Sequence, residues 1–176
     1  IFKKLDDLAK SFANFSEVID LCKTRLTLFN LVSPKIISLP PILLTGSPGV
    51  GKTRFLKELA KILDTEFFSL DFSTTSSAFI LNGGASTWAD SKPGFISESI
   101  RQSRYVNPII LLDEIDKVGN KNYDPIGCFY SLLEPHTASS FKDEYLEIEM
   151  NMSKIIWLAT ANYPELIPAP IRSRMT

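Results

Sequence analysis

Two apolar runs at helical spacing open the chain: Leu5, Leu8, Ala9 and Phe12, then Val18, Ile19, Cys22, Leu26 and Phe29 behind Ser16 as an N-cap. From Pro41 the pattern changes to short, continuous apolar runs. These predict strands at Ile42 to Thr45, Phe67 to Asp71, Ile109 to Asp113 and Ile155 to Thr160. Helices are predicted between them over Thr53 to Leu63, over Gly94 to Arg104 with Pro93 at the first helical position, and over Ile126 to Leu133 behind Asp124 as cap and Pro125. Strand and helix alternating in this way give a central parallel sheet with helices on both faces. The expected fold is an α/β three-layer sandwich over residues 40–176, preceded by a helical segment over residues 1–39.

Two stretches break the alternation. Between Thr74 and Lys92 the sequence turns to Ser, Thr, Gly and Asn with isolated aromatics, a long polar insertion of the kind that is usually functional or disordered. Lys142 to Glu149 alternates acids with Tyr145, Leu146 and Ile148, which predicts an edge strand or an extended arm.

Composition changes this picture little: 176 residues, 44% hydrophobic and 22% charged, can bury one sizeable core. A net charge of −1 with Lys and Arg scattered leaves no footprint of nucleic-acid binding. The apolar runs fall well short of the roughly 20 residues that span a bilayer. No signal peptide is visible, and the start at Ile1 reads as an excised piece, so the expected location is cytoplasmic. Cys22 and Cys128 sit in apolar helical patterns and read as small core hydrophobes of a reducing compartment, against a disulfide or a reactive thiol. His136, the single histidine, lies in a loop-like stretch and reads as a surface residue, so a His-based metal site or triad lacks its parts.

The candidate chemistry begins with GSPGVGKT, which matches G-x-x-x-x-G-K-[ST] between a predicted strand and a predicted helix. Backbone N–H groups of Gly46, Ser47, Gly49, Val50 and Gly51 would cradle phosphates, with Pro48, which has no N–H, belonging to the same binding loop. Lys52 would reach the β- and γ-phosphates, and the Thr53 hydroxyl would ligate magnesium. IILLDE then ends a buried strand in two carboxylates. Asp113 would hold the same metal or its water, and Glu114 would act as general base toward the attacking water. The bland alternatives are a glycine-rich turn that merely joins strand to helix, and a solvated acidic strand end made by Asp113, Glu114 and Asp116.

Asn162 ends IIWLATAN, on a strand expected beside that of Asp113, where its amide could touch both the γ-phosphate and the water. A turn or capping asparagine is the alternative. Arg172 and Arg174 follow in PIRSRM, where an arginine could serve a neighbouring subunit as a finger, which implies an oligomer, or else form ordinary surface ion pairs.

These parts in this order resemble the AAA+ ATPases. NPIILLDEIDK, DPIGCFYSLLEPHTASSFKDEYLEI and ATANYPELIPAPIRSRM are similar to the ATPase module of Lon proteases, from about Pro40 to Met175. The resemblance implies a P-loop NTPase fold, the AAA+ large subdomain, using ATP and Mg2+ as cofactors. It makes Lys52 and Thr53 Walker A, Asp113 and Glu114 Walker B, Asn162 sensor 1 and Arg174 the arginine finger. It implies a homo-oligomer, a hexameric ring, that acts on polypeptide. In Lon-type motors an aromatic and an aliphatic residue shortly before a Pro-Gly grip the substrate in the central pore; STWADSKPG puts Trp88 and Ala89 there. A packing tryptophan is the alternative. FSTTSSAFILNGGAS, ahead of Trp88, lacks the charges usual in Lon proteases and looks more like Lon-like bacterial ATPases without an obvious protease. The resemblance also implies a helical lid, beyond Thr176. Three functions follow as expectations: a Lon-like ATP-driven unfoldase or translocase, the ATPase module of a serine protease, and a nucleotide switch or loader for DNA.

Overall fold

The computed structural model describes residues 1–29, 31, 36–74, 79–84, 91–117 and 126–176. Helices α1 (Phe2–Ser11) and α2 (Ser16–Phe29) precede strand β1 (Ile42–Thr45). There follow α3 (Lys52–Leu63), β2 (Phe67–Asp71), α4 (Phe79–Asn82), α5 (Phe95–Gln102) and β3 (Ile109–Asp113). The C-terminal part holds α6 (Phe129–Leu132), α7 (Pro135–Ala138), β4 (Phe141–Lys142), β5 (Glu149–Met150), β6 (Ile156–Ala161) and α8 (Ala169–Arg172). Strands β1, β6, β3 and β2 lie side by side in that order, all parallel.

The continuous apolar runs of β3 and β6 make sense once both faces of the sheet are covered. Ile109, Leu111, Ile156 and Leu158 face one core, with Phe55, Leu56 and Leu59 of α3 and Leu5, Ile19, Cys22 and Leu26 of the first two helices. Ile110, Leu112, Trp157 and Ala159 face the other, with Ile96, Phe129, Leu132 and Ile171. Each such buried aliphatic or aromatic side chain contributes about 1.5–3 kcal/mol of transfer free energy. Aromatic pairs knit both sides: Phe15 stacks on Phe55 with centroids 4.6 Å apart, and Phe129 meets Trp157 edge-on at 5.5 Å. Burial pushes the Cys22 thiol up to about 12, as expected of a small core hydrophobe, while Cys128 is half-buried; neither is in a disulfide.

Several local expectations are corrected. Ser16 is the first residue of α2, not its cap, because a 3-10 turn at Ala13–Phe15 runs directly into the helix. Gly94, extended at ψ 157, takes the cap position of α5, leaving Pro93 outside the helix. Helix α6 is a single turn: residues 126–128 form i→i+3 turns ahead of it, and Pro135 holds Glu134 extended after it and starts α7. His136 is exposed as expected, but on α7. Strand β6 begins and ends one residue later than predicted. Asp124 and Pro125 lie outside the described residues. No described helix is long and apolar enough to cross a membrane.

The segment expected as an edge strand is a two-stranded antiparallel hairpin, β4–β5, apart from the main sheet. Its turn is organised by Asp143, a fully buried carboxylate. Asp143 Oδ2 accepts from Gly94 N at 2.9 Å and Ser97 Oγ at 2.5 Å, and Oδ1 from Tyr145 N at 2.9 Å and Leu146 N at 3.0 Å. Four donors offset the cost of burying the charge. Glu144 N donates to Asn82 O, and Gly84 N to Lys92 O, so the two stems of the polar insertion are tied together and to the hairpin.

Gly94 has no room for a side chain: a Cβ would lie 2.1 Å from Leu81 O and 2.5 Å from Gly83 N, both backbone atoms. Gly94→Ala is expected to destabilise the protein by about 3 kcal/mol or more, lowering Tm by roughly 6–12 °C in thermal denaturation. Gly84→Ala, whose Cβ would meet only Ser91 Cβ at 3.5 Å, is the control expected to change little. Equal melting of Gly94→Ala and parent would refute this account of the junction.

Candidate functional site

The register of the sheet sets Thr45 opposite Ala161, Leu112 opposite Ala159 and Asp71 opposite Asp113, so the loops after β1, β3 and β6 emerge along one edge. The loop after β1 turns back into α3 through Gly46, Gly49 and Gly51, at φ +142, +84 and +93. A side chain at any of them would be strained. No side chain caps the N-terminus of α3, which leaves first-turn N–H groups pointing out of the helix. Such an end favours an anion.

Lys52 is only 7% exposed. Its ammonium donates to Gly46 O at 2.7 Å, Ser47 O at 3.1 Å and Asn162 Oδ1 at 2.8 Å, joining the loop to the end of β6. Thr53 Oγ1 donates to Asp113 at 2.9 Å from Oδ1 and 3.2 Å from Oδ2. Glu114 follows at φ +55, a conformation uncommon for a residue with a side chain. The three acids are not a solvated strand end. Asp113 and Glu114 are half-buried, and Asp116 is buried, its Oδ2 accepting from Tyr163 N at 3.1 Å while its Oδ1 has no hydrogen-bond partner.

Pro48, Gly49, Gly51, Lys52, Thr53, Asp113, Glu114 and Asn162 thus line one cleft of about 240 Å³, with Arg54 and Thr160. Gly46 and Ser47 take part through their carbonyls, and the carbonyl of half-exposed Val50 accepts from Asn14 Nδ2 at 3.4 Å. Arg54 lies over the Phe12 ring, 5.9 Å from its centroid. A larger groove, about 570 Å³, runs along the outer side of α3 past Lys57, Lys61 and Phe67. Its one carboxylate is Glu58, and it lacks Asp113, Glu114 and Asn162, so the smaller cleft is the one with chemistry.

Arg174 is not in this cleft. Its Nε lies 2.7 Å from Glu134 Oε1, an ion pair by distance although the N–H does not meet hydrogen-bond geometry, and its Nη1 donates to Pro170 O at 2.6 Å. Arg172 Nη1 donates to Pro164 O. Trp88 and Ala89 lie outside the described residues. Two cleft residues escaped the sequence reading, Arg54 and Thr160; for Thr160 the signal was a hydroxyl inside the otherwise apolar run IIWLATA.

The residues present fit a triphosphate with a hard divalent cation. A hydroxyl and a carboxylate meet within 2.9 Å, oxygen donors of the kind magnesium takes. A Cβ at Gly49 would meet nothing within 4 Å, so the space beside that glycine, which lines the cleft, is open.

Residues 42–176 match the family described as ATPase family associated with various cellular activities (AAA). The chain is 33% identical to a Lon protease of Metamycoplasma arthritidis (strain 158L3-1) over 83% of this chain and 18% of that protein. It is 35% identical to the mitochondrial Lon protease homolog of Homo sapiens over 74% of this chain and 14% of that protein. With a Lon protease of Frankia alni it shares 37% identity over 75% of its length and 15% of the relative's. It spans less than a fifth of the length of each of these relatives.

Proposed function

We propose, from the premise that this chain belongs to the AAA family of ATPases and to its Lon-like branch, that its cleft binds ATP with magnesium and hydrolyses it to move polypeptide. The observation that carries the reading is the convergence of Lys52, Thr53, Asp113, Glu114 and Asn162 on one side of an uncapped helix N-terminus. Lys52 already lies across the glycine loop, and its ammonium exchanges carbonyl partners for β- and γ-phosphate oxygens. Thr53 and Asp113 would hold magnesium, which when bound supplies charge neutralisation between those phosphates. Glu114 accepts a proton from the water whose oxygen attacks the γ-phosphorus, while the bridging oxygen leaves with ADP. Asn162, now accepting from Lys52, orients that water without adding charge.

Arg174 is assigned to a neighbouring subunit's site: it is held at the surface by Pro170 and Glu134, away from its own cleft. With that assignment we read the chain as one subunit of a homo-oligomeric, hexameric ring. Trp88 and Ala89 are assigned to grip substrate in its pore on sequence alone. We place the protein in the cytoplasm. A second reading, an ATPase joined to a protease, is favoured by the relatives, which are Lon proteases. Casein degradation by the full-length protein separates the two: ATP-dependent cleavage supports the protease, and turnover without cleavage the motor alone.

The nucleotide reading is tested with Lys52→Ala in the full-length protein. Loss of charge-assisted phosphate contacts is expected to weaken binding of a fluorescent ADP analogue about 10- to 100-fold. An unchanged Kd would overturn the reading.

A further inference from the structure

We propose that Thr160 is a positioning residue that sets the metal-facing carboxylate of Asp113 and the peptide of Glu114 in one fixed relation; this rests on the nucleotide reading above. Thr160 is 1% exposed, on a strand whose other residues are Ile, Trp, Leu and Ala. A hydroxyl buried there is costly unless it is bonded. It makes two hydrogen bonds, both to the functional turn. Its Oγ1 donates to Asp113 Oδ1 at 2.5 Å and accepts from Glu114 N at 3.0 Å.

The direction of these bonds matters. A threonine has one hydroxyl proton, which is given to Asp113, so its lone pairs are left to receive the Glu114 N–H. A single side chain from β6 therefore couples the carboxylate of one residue to the backbone of the next. The peptide joining them is held from both sides, since Asp113 O accepts from Phe72 N at 2.9 Å just beyond β2. Lys117 N donates to Glu114 O at 2.8 Å, completing the restraint on a residue at φ +55. A left-handed non-glycine conformation persists where its surroundings over-determine it. Here they do so from β6, from the end of β2 and from the following turn.

Asp113 Oδ1 also receives the Thr53 hydroxyl. Thr53 is itself a proposed metal ligand: its proton goes to Asp113 and its lone pairs are left for the cation. Thr160 is not a ligand in this scheme, so it is a second donor that aims the carboxylate from β6, independently of the cation. Partners of this outer kind typically matter 10- to 100-fold in metal affinity or activity.

The test compares Thr160→Val, Thr160→Ala and Thr160→Ser in the full-length protein. Binding of the fluorescent ADP analogue in EDTA should stay within about twofold of the parent for all three. The magnesium concentration at half-maximal enhancement of that binding should rise about tenfold for Val and Ala, and kcat should fall about 10- to 100-fold with KM nearly unchanged. Ser should restore both to within about threefold. A purely structural role would lower Tm without moving the magnesium midpoint. Parent-like midpoints for Val and Ala, or a Ser variant as impaired as Ala, would overturn the proposal. If Val does not fold, the Ser and Ala pair decides. Lys52→Ala, run alongside, separates the two levels: unchanged nucleotide affinity there refutes the site itself, whereas lost affinity with parent-like Thr160→Val refutes only the positioning role.

Discussion

A Glu114→Gln variant of the full-length protein is expected to lose ATP turnover by about 10²- to 10⁴-fold while holding ATP as tightly as the parent. The amide keeps the size of the carboxylate and removes its capacity to take a proton. Nothing else in the cleft need change, because Glu114 is held through its backbone: its N–H bonds Thr160 and its carbonyl accepts from Lys117. The loop that would hold the phosphates is anchored elsewhere, by Lys52 on Gly46, Ser47 and Asn162. Binding and turnover should therefore separate. Phosphate release and equilibrium binding, measured on one preparation, check this. Turnover within about fivefold of the parent would remove Glu114 from its assigned role.

Arg174→Ala should be more damaging still, with about 10³- to 10⁵-fold loss of turnover, for a different reason. The guanidinium lies outside its own cleft and is presented by α8 and the turn after it, against Glu134 and Pro170. An arginine so placed can complete the site of another subunit. Mixing tests this directly. Lys52→Ala subunits carry a dead site and an intact Arg174, while Arg174→Ala subunits carry an intact site and no finger. If the residue acts across a boundary, the mixture should recover turnover that neither variant shows alone. No recovery, with mixed oligomers verified by size, would return Arg174 to an ordinary surface ion pair.

Local pattern was enough to locate most of the sheet. Ile109 to Asp113 and Ile42 to Thr45 are continuous apolar runs with sharp ends, and both strands occur where predicted. The glycine loop was equally legible, since it needs three residues that tolerate positive φ within a few positions, and few residues other than glycine do so. Contacts made between distant segments were not legible. Thr160 reaches Asp113 because β6 inserts between β1 and β3, a strand order that local periodicity does not contain. Asp143 looked like one more acid in an alternating arm; only the fold brings Gly94 and Ser97 to it and makes it buried. The helix after Ile126 was overextended at both ends because apolar spacing runs from Ile126 to Leu133, while the turn over residues 126–128 and the restraint from Pro135 act on backbone dihedrals and not on hydrophobicity.

The tie between Gly84 and Lys92, set on the Asp143 junction, gives the insertion a closed neck. Lengthening a chain between two fixed points costs only about 0.6 kcal/mol per doubling. The neck thereby fixes the two ends of the insertion at one separation, whatever length of sequence joins them. Changes in the length or composition of that sequence are therefore expected to leave the sheet and the Asp143 junction as they are.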